Sequence, residues 1–255
     1  MQDKPVQDKP VALVTGANQG IGFQIAKDLA AKGFTVLLGS RNIERGEAAA
    51  KAVGPNAVAL QLDVTDLASI AAAAERVRKE FGRLDVLVQN AAITKTGDDA
   101  QTPEAYVKTH RPSLASLDEM RAVWDTNVFG VLAVYQAMVP ILRDTPNSRI
   151  VNVSSGAGSL TLASDPNSPM HSNFDATYAA SKTALNGLTL AMAIELEADG
   201  INVNAVSPGS TRTKMNPGGT DTVEEGAAEA VRVALLGSDG PTGTFTHATF
   251  GAIPW

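Results

Sequence analysis

The sequence contains no cysteine among its 255 residues. Disulfide bonds, zinc–cysteine sites and thiol nucleophiles all need that side chain, so these three kinds of chemistry are excluded. The absence also favours a reducing compartment, and we expect a cytoplasmic protein. The three histidines, His110, His171 and His247, lack acidic neighbours at metal-ligand spacing. No metal site is therefore predicted, and ordinary surface or loop positions are expected for all three.

An excess of positive charge is also lacking, since 21 Lys and Arg residues stand against 27 Asp and Glu, a net charge of −6. A surface that tracks phosphates needs clustered positive charge, and the basic residues here are scattered. Neither nucleic acid nor an anionic membrane is therefore an expected partner. No apolar run approaches ~18 residues, and no basic segment followed by an apolar core begins the chain, so neither a spanning helix nor a signal peptide is predicted.

The chain starts with two copies of Gln-Asp-Lys-Pro-Val, at positions 2–6 and 7–11. Two five-residue copies are too short to build a repeat architecture. We therefore interpret residues 1–10 as a disordered leader or a cloning artefact, and residues 11–255 as a single domain.

Short β-branched runs alternate with longer amphipathic stretches from residue 11 onward. The predicted strands are 11–15, 35–39, 57–62, 84–89, 149–153, 201–206 and 243–250. The predicted helices are 20–32, 41–53, 65–81 with Thr65 as its cap, 117–142, 176–198 and 223–236. Polar segments at 93–115 and 156–175 are predicted as irregular surface excursions. This alternation indicates an α/β fold with a doubly wound parallel sheet and helices on both faces.

A glycine-rich segment, Thr-Gly-Ala-Asn-Gln-Gly-Ile-Gly at 15–22, lies where the first strand becomes the first helix. Glycines allow a tight turn there, and they let backbone N–H groups approach a pyrophosphate at the helix N-terminus. The spacing G-x-x-x-G-x-G differs from the commoner G-x-G-x-x-G fingerprint. The segment indicates a dinucleotide site, and the alternative is a turn whose glycines serve close packing alone.

The second strand ends in Ser40-Arg41 and carries no acidic residue. In a dinucleotide fold this strand end faces the adenosine ribose, where an acid binds the 2′-hydroxyl of NAD and an Arg accommodates the 2′-phosphate of NADP. A guanidinium binds a phosphate through charge-assisted hydrogen bonds. The sequence therefore favours NADP(H) over NAD(H), and the alternative for Arg41 is a solvated residue in the first turn of a helix.

Tyr178 and Lys182 are four residues apart on a predicted helix, so their side chains share one face. A nearby cation favours phenolate and would lower the pKa of Tyr178 towards neutrality, which suits proton transfer. Such a pair also occurs by chance, but this one follows Ser155 at the carboxyl end of a strand, the edge where ligands bind in open α/β sheets. The neighbouring Ser154 points to the opposite face of that strand.

Further motifs follow in order along the chain. They are Asp63-Val64 after the third strand, Asn90-Ala91-Ala92 after the fourth, Asn127 in the long helix, and Pro208-Gly209 with Thr211 and Thr213 after the sixth. With the two motifs above, they make the chain resemble the short-chain dehydrogenase/reductase family from residue 11 to the C-terminus. The resemblance implies a single-domain, Rossmann-type, doubly wound parallel sheet.

The resemblance also implies the residues of the site. The implied catalytic residues are Asn127, Ser155, Tyr178 and Lys182. The implied cofactor contacts are Gly16, Asn18, Gln19, Gly20, Ile21, Gly22, Ser40, Arg41, Asp63, Val64, Asn90, Ala91, Ala92, Tyr178, Lys182, Pro208, Gly209, Thr211 and Thr213.

The mechanism implied by the resemblance is carbonyl reduction with NADPH. Ser155 and Tyr178 would hydrogen-bond the carbonyl oxygen, Tyr178 would donate the proton, and Lys182 would bind the nicotinamide ribose and lower the pKa of Tyr178. Asn127 would hold a water that links Lys182 to solvent. The alternatives are oxidation of a secondary alcohol, sugar or steroid with NAD(P), and a dinucleotide-binding regulator without turnover.

Departures from the family pattern concern specificity. Gln89 and Ala92 replace an Asn and a Gly, and Gln19 stands where carbonyl reductases often have a second basic residue. The segment from Ala92 to Asn127 and the 23 positions from Ser155 to Tyr178 are longer than usual, as in the carbonyl-reductase and menthone-reductase-like branch. A small carbonyl or alcohol is the expected partner. A monomer, a homodimer and a homotetramer are all compatible with the sequence.

Overall fold

The alternating pattern produces one twisted sheet at the centre of the molecule. A computed structural model describes residues 9–97 and 103–255, and within them eight strands form this sheet in the order β3-β2-β1-β4-β5-β6-β7-β8. The first seven strands pair in parallel, whereas β8 is antiparallel to β7. The strands are β1 (Val11–Val14), β2 (Thr35–Ser40), β3 (Ala57–Gln61), β4 (Val86–Gln89), β5 (Arg149–Val153), β6 (Asn202–Ser207), β7 (Phe245–His247) and β8 (Gly251–Ala252).

Helices connect the parallel strands. They are α1 (Gly20–Ala31), α2 (Ile43–Val53), α3 (Leu67–Glu80), α4 (Pro103–Thr109), α5 (Leu117–Trp124), α6 (Gly130–Arg143), α7 (Leu160–Ser164), α8 (Pro169–Ser172), α9 (Tyr178–Glu195) and α10 (Val223–Ala234). The strand order steps outward in both directions from β1 and β4, so the predicted doubly wound, Rossmann-type fold is confirmed.

The sheet separates two layers of apolar packing because neighbouring side chains on a strand point to opposite faces. In β1, Val11 and Leu13 pack with α3, α6 and α9, whereas Ala12 and Val14 pack with α1, α2 and α10. All four of these side chains are fully buried. Each Val or Leu buried in this way stabilises the fold by about 1.5–3 kcal/mol. Because β1 to β7 run parallel, their carboxyl ends share one edge of the sheet, where the motif residues lie.

Two helix details differ from the prediction. Asp66, not Thr65, caps α3, since the Asp66 carboxylate accepts a hydrogen bond from the Ala68 N–H at 2.9 Å. The Thr65 hydroxyl instead donates to Asp63 Oδ1 at 2.7 Å, because an Asp two residues before it offers a closer acceptor. The predicted helix 117–142 is α5 and α6 joined by a π-helical turn, Asp125–Phe129.

The two polar segments contain more structure than expected. The first includes α4, and the second includes a 3₁₀ turn, Gly156–Gly158, followed by α7 and α8. The predicted last strand, 243–250, is shorter. It is β7 alone, after which the chain turns back and β8 pairs with β7. Serine hydroxyls cap the N-termini of α7 and α8. At α7, Ser159 Oγ accepts a hydrogen bond from the Leu162 N–H at 3.1 Å.

One residue of the first polar segment differs from its expected position. His110 was expected to be an ordinary surface or loop histidine, but it is buried and stacks on Tyr106 with ring centroids 3.8 Å apart.

The predicted leader lies mostly outside the described residues, which begin at Lys9. Pro10 was assigned to that leader, but its carbonyl accepts a hydrogen bond from the Thr35 N–H at 2.8 Å, so the fold includes it. Within the described residues, one helical stretch, Leu117–Arg143, is long and apolar enough to span a membrane by length and composition, with a mean hydropathy of 1.3. Over half of its most apolar window, 56%, is buried inside the protein, as in the core helix of a globular domain.

Candidate active site

Ser155 lies two residues after the end of β5, at the edge where the parallel strands end. Its hydroxyl accepts a hydrogen bond from the Ala157 N–H at 3.2 Å and reaches the Tyr178 phenol. Ser154 turns to the other side, as predicted, and donates to Asn186 Oδ1 at 2.6 Å within the protein. The alternation of the strand therefore gives one serine to the site and the other to the interior.

Tyr178 and Lys182 lie one helical turn apart on α9, and Lys182 Nζ is 5.7 Å from the centroid of the Tyr178 ring. The ammonium group is buried and donates to the Val153 carbonyl at 2.9 Å. This contact anchors α9 to the end of β5. The site therefore combines a hydroxyl, a phenol and an ammonium group in one small volume.

Burial dominates the proton affinities of both side chains. It lowers the pKa of Lys182 to about 8. It raises the pKa of Tyr178 to about 12, while the hydrogen bond from Ser155 acts in the opposite direction. The expectation that Lys182 brings the Tyr178 pKa towards neutrality is therefore wrong for the protein groups alone. Desolvation of the buried phenolate determines the direction of this shift.

The π-helical turn between α5 and α6 positions Asn127, which is fully buried. A five-residue hydrogen bond, from the Gly130 N–H to the Asp125 carbonyl, widens the helix at this point. The Asn127 amide is held from two sides. It pairs with both the N–H and the carbonyl of Ile93 at 2.9 Å, and Nδ2 also donates to Ser181 Oγ on α9 at 3.0 Å.

The glycine turn of residues 15–22 has the backbone conformation that its sequence predicts. Gly16 and Gly20 have φ angles of 64° and 58°, a region that favours glycine. A Cβ on Gly22 would lie 2.6 Å from the Gly16 carbonyl oxygen and would also strike the Asn90 side chain. The turn therefore needs glycine at all three positions, for conformation at two and for close packing at the third.

Thr15 and Asn90 lock this turn to the end of β4. Asn90 Nδ2 donates to the carbonyls of Thr15 and Gly16 at 3.0 and 3.3 Å. The Thr15 hydroxyl in turn accepts from the N–H groups of Asn90 and Ala91 at 2.9 and 3.0 Å. Our sequence reasoning missed the role of Thr15. The available signal was a hydroxyl residue between a buried strand and the first glycine.

Residues 15–22 and Asn90 together form a cradle, and this cradle fits a dinucleotide. Gln19, the residue before α1, makes no side-chain cap, so its side chain leaves the first N–H groups of the helix without an acceptor. Orphan N–H groups at a helix N-terminus attract an anion such as a pyrophosphate. Asn18 and Ile21 lie within the same turn, between the three glycines.

The side chains predicted to contact the adenosine differ in whether they already hydrogen-bond to the protein. Arg41 is exposed and has no ion pair or hydrogen bond within the described residues, and Gln19 is exposed as well. The buried Ser40 hydroxyl instead donates to the Asn42 carbonyl at 2.8 Å. Asp63 is partly buried, and its Oδ1 accepts from the Thr65 backbone N–H at 2.9 Å. Ser40 and Asp63 therefore shape the strand ends, while Arg41 is the group left to meet a ligand.

The segment after β6 approaches the glycine turn from the opposite side. The Thr213 methyl group lies 3.6 Å from where a Gly20 Cβ would stand. Gly209, after Pro208, has a φ angle of 74°. The buried Thr211 hydroxyl donates to the Pro208 carbonyl at 2.8 Å, so it holds this loop together. Thr213 therefore lies beside the cradle, whereas the Thr211 hydroxyl stabilises the loop that carries Thr213.

The remaining predicted neighbours of the cofactor follow β3 and β4 at the same edge of the sheet. The Val64 carbonyl lies 2.7 Å from where a Cβ on Gly130 would stand, so the start of α6 passes tightly over it. Ala91 and Ala92 continue the chain from β4 to Ile93, the residue that Asn127 clamps. Gln89 is buried beneath them and donates to Asn152 Oδ1 at 3.2 Å.

The apolar C-terminal segment packs on the loop that follows Ser155. Ser159 Oγ donates to the Pro254 carbonyl at 2.6 Å, and the Thr161 hydroxyl donates to the Trp255 main-chain oxygen at 2.7 Å. The Trp255 ring stacks on Phe245 with centroids 5.5 Å apart. The C-terminal segment therefore packs against its own chain at the rim of the site.

Comparisons with known proteins agree with this architecture. The family model described as short chain dehydrogenase matches residues 10–224. Salutaridine reductase of Papaver somniferum is 32% identical, with 94% of each chain covered, and its structure aligns with a TM-score of 0.78. The (−)-isopiperitenone reductase of Mentha piperita is 33% identical, with 92% of this chain and 95% of the relative covered.

A third similar protein is a 3-ketoacyl-(acyl-carrier-protein) reductase from Brucella melitensis, solved in complex with NADH. It is 25% identical, covers 94% of this chain and 96% of its own, and aligns with a TM-score of 0.77. The chain belongs to the short-chain dehydrogenase/reductase family. It is an oxidoreductase of the reductase branch whose cofactor is a nicotinamide dinucleotide.

Proposed function

We propose that this protein catalyses the reversible, NADPH-dependent reduction of ketones or aldehydes to alcohols in the cytoplasm. The observation that carries the proposal is the contact between the Ser155 hydroxyl and the Tyr178 phenol, with the buried Lys182 ammonium group 5.7 Å from the phenol ring. Two O–H groups that converge beside a cation form a site for an oxygen atom that gains negative charge. A carbonyl oxygen undergoing reduction is such an atom.

When bound, the dinucleotide supplies the hydride. Ser155 and Tyr178 donate hydrogen bonds to the substrate oxygen and hold it in place, and Tyr178 transfers its proton to that oxygen. Burial keeps the pKa of Tyr178 above neutral pH, so the phenol carries the proton that it would transfer. Lys182 and Asn127 keep α9 in register with β5 and with residue 93 through their buried hydrogen bonds.

The preference for NADP(H) is also a proposal, and it depends on Arg41. This guanidinium is exposed beside the end of β2 and has no acidic partner within the described residues. A 2′-phosphate could therefore bind it without first displacing a salt bridge. The β2 end carries no carboxylate that would repel the phosphate. Ser40 contributes by fixing the chain just before Arg41 through its bond to the Asn42 carbonyl.

Replacement of Tyr178 by Phe tests the proposed reaction. Reduction of a panel of ketones and aldehydes, followed by NADPH absorbance, should fall by about 10³-fold, because the general acid is lost. NADPH affinity, measured by fluorescence titration, should stay within about twofold, since the phenol is not the main binding group. Tyr135→Phe is the matched control, because Tyr135 is a buried tyrosine of α6 that no proposed step uses.

Two outcomes would contradict the proposal. Ketone reduction by Tyr178→Phe at nearly the wild-type rate would exclude the assigned proton donor. Tight cofactor binding by the wild-type protein, with no turnover of any carbonyl or secondary alcohol, would indicate a dinucleotide-binding regulator instead.

A further inference from the structure

Residues 160–174, which contain α7 and α8, form a unit that is tied to the rest of the protein at one place. His171 Nδ1 lies 2.8 Å from the Ala163 carbonyl oxygen and so joins α8 to α7. Within the residues that the structure describes, every hydrogen bond from this segment to another part of the chain goes to Ser159 or Trp255. The position of this α7–α8 unit therefore depends on those two residues.

Two hydroxyl groups make the tie. The Ser159 side chain is fully buried, and its hydroxyl accepts from the Leu162 N–H at 3.1 Å and donates to the Pro254 carbonyl at 2.6 Å. The Trp255 main-chain oxygen accepts from both the N–H of Thr161, at 3.0 Å, and its hydroxyl, at 2.7 Å. The first turn of α7 is thus joined to the C-terminal segment by two side-chain hydroxyls and one backbone N–H.

The C-terminal segment is itself anchored to the sheet. The Ile253 N–H donates to the carbonyl of Phe245, the first residue of β7, at 2.8 Å. The Trp255 ring stacks on the ring of Phe245, which is 2% exposed. The sheet therefore sets the place of the α7–α8 unit through residues 253–255.

Other contacts hold the backbone that follows Ser155. The Gly158 carbonyl accepts from the Thr183 hydroxyl at 3.0 Å and from Asn186 Nδ2 at 3.1 Å, both on α9. The Gly156 N–H donates to Ser207 Oγ, at the end of β6, at 3.1 Å. None of these bonds uses Ser159 or the C-terminal segment. A loosened tie would therefore release the α7–α8 unit and leave Ser155 beside Tyr178.

The unit begins close to the Ser155 hydroxyl. Two successive 3₁₀ bonds fold the chain between them, from the Gly158 N–H to the Ser155 carbonyl at 2.9 Å and from the Ser159 N–H to the Gly156 carbonyl at 3.1 Å. At the rise of a 3₁₀ turn, Leu160 follows Ser155 at about 12 Å along the chain. Leu160 is 55% exposed, so α7 offers apolar surface at a distance that a bulky ketone spans and a small one does not.

We propose that Ser159 and Thr161 are positioning residues that set the preference for substrate size. Their hydroxyls hold the α7–α8 unit where Leu160 packs on a bulky apolar substituent of the ketone. The inference rests on the proposed function, ketone reduction at Ser155 and Tyr178. Neither hydroxyl takes part in hydride or proton transfer, so their loss should weaken the binding of bulky ketones without slowing the chemical step.

The experiment compares benzylacetone with butanone, two methyl ketones of which only the first carries a phenyl group. In Ser159→Ala, KM for benzylacetone should rise about tenfold, while its kcat, KM for butanone and the affinity for NADPH should stay within about twofold. Thr161→Val should raise KM for benzylacetone about threefold, and Thr161→Ser, which keeps the hydroxyl, should restore it. Thr161 is exposed, so this pair tests the tie even where Ser159→Ala fails to fold.

Ser164→Ala is the matched control. Ser164 is an exposed serine of α7 whose hydroxyl donates within the unit, to the Thr161 carbonyl at 3.0 Å. Its loss should leave both KM values in place. Amide hydrogen exchange gives a readout that needs no substrate, since residues 161–163 should exchange about tenfold faster in Ser159→Ala and residues 179–186 should not.

Three results would overturn the inference. They are an equal rise in KM for both ketones, a loss of kcat with KM unchanged, and an unchanged KM for benzylacetone in folded Ser159→Ala or Thr161→Val. Failure of the proposed function is recognised separately, because the wild-type protein would then reduce neither ketone, or Tyr178→Phe would remain active. An inactive Tyr178→Phe together with an unchanged size preference in Thr161→Val removes the role of the tie alone.

Discussion

Two ends of the same sheet edge differ in how their functional groups are held. At the catalytic end, Asn127 and Lys182 are buried and hydrogen-bonded to their own chain. At the adenosine end, Gln19 and Arg41 are exposed, and Arg41 has no hydrogen-bonded or charged partner within the described residues. Both ends lie at the carboxyl side of the parallel strands. The groups proposed to carry out chemistry are therefore fixed in advance, whereas those proposed to select the cofactor stay hydrated.

The difference follows from what each end must do. Stabilisation of developing charge is strongest when the hydrogen-bond donors are already oriented and shielded from water. Recognition of a phosphate needs a cation that is free to bind it, and an existing salt bridge would oppose binding. Substitutions of the buried Asn127 or Lys182 should therefore change activity and stability together, and those at the adenosine end should change affinity alone.

The sharpest test of the catalytic end uses two adjacent serines. Ser155→Ala should lower kcat for ketone reduction by about 10²–10³-fold with unfolding free energy nearly unchanged, because its hydroxyl is a donor to the substrate oxygen. Ser154→Ala should retain activity but lose about 1–2 kcal/mol of stability, since the buried Oδ1 of Asn186 loses its hydrogen-bond donor. Denaturant unfolding and steady-state kinetics check both variants. Exchange of the two phenotypes would mean that the opposite serine faces the site.

The buried ammonium group predicts a pH-dependent stability. The pKa of Lys182 is lowered to about 8 in the folded protein, so the folded state binds fewer protons than the unfolded state between pH 8 and its ordinary pKa of 10.5. The unfolding free energy should therefore rise with pH across that window, by about 3 kcal/mol relative to Lys182→Met. Denaturant melts without added cofactor check this. Parallel curves for the two proteins would show that Lys182 is not desolvated.

A third test compares the glycine turn with an ordinary helical glycine. Gly22→Ala should lower cofactor affinity at least tenfold and cost about 1–3 kcal/mol of stability, because the new Cβ meets the Gly16 carbonyl. Gly187→Ala in α9 has no atom within 4 Å of its new Cβ and should gain about 0.5–1 kcal/mol. Isothermal titration and thermal melts measure both. Normal cofactor binding by Gly22→Ala would argue against the cradle.

The adenosine end carries the smallest expected effect. Arg41→Asp should shift the ratio of kcat/KM values for NADPH and NADH by about tenfold or more towards NADH, with stability within about 0.5 kcal/mol of wild type. Arg78→Asp on α3 makes the same change of charge at another exposed site and should leave the ratio unchanged. An unchanged ratio in Arg41→Asp would remove Arg41 from cofactor selection.

Local sequence features were enough to predict the strands, most helices and the order of the motifs. The bounds of β5 match the prediction, and the glycine turn has the positive φ angles that its spacing requires. These features depend on neighbouring residues, so periodicity and glycine spacing reveal them. The placement of the predicted site residues at one sheet edge follows from the same parallel order.

Features that depend on tertiary contacts could not be predicted in this way. The tie by Ser159 and the lock by Thr15 each involve hydrogen bonds whose partners become visible only in the folded chain. The direction of the Tyr178 pKa shift was wrong because helix geometry gives the distance to Lys182 but not the loss of water around the phenol. The π-helical turn at Asn127 was not predicted, because a glycine such as Gly130 also occurs in ordinary α-helices and does not by itself indicate a π-helical turn.

The contacts of the C-terminal segment also set an order in which the site is completed during synthesis. The glycine turn finds its partners once residue 91 has been made. The loop after Ser155 must wait for residues 254 and 255, because Ser159 and Thr161 bond across separations of 95 and 94 positions. The rim of the catalytic site therefore forms only when Trp255 is present, whereas the lock of the glycine turn needs no residue beyond Ala91.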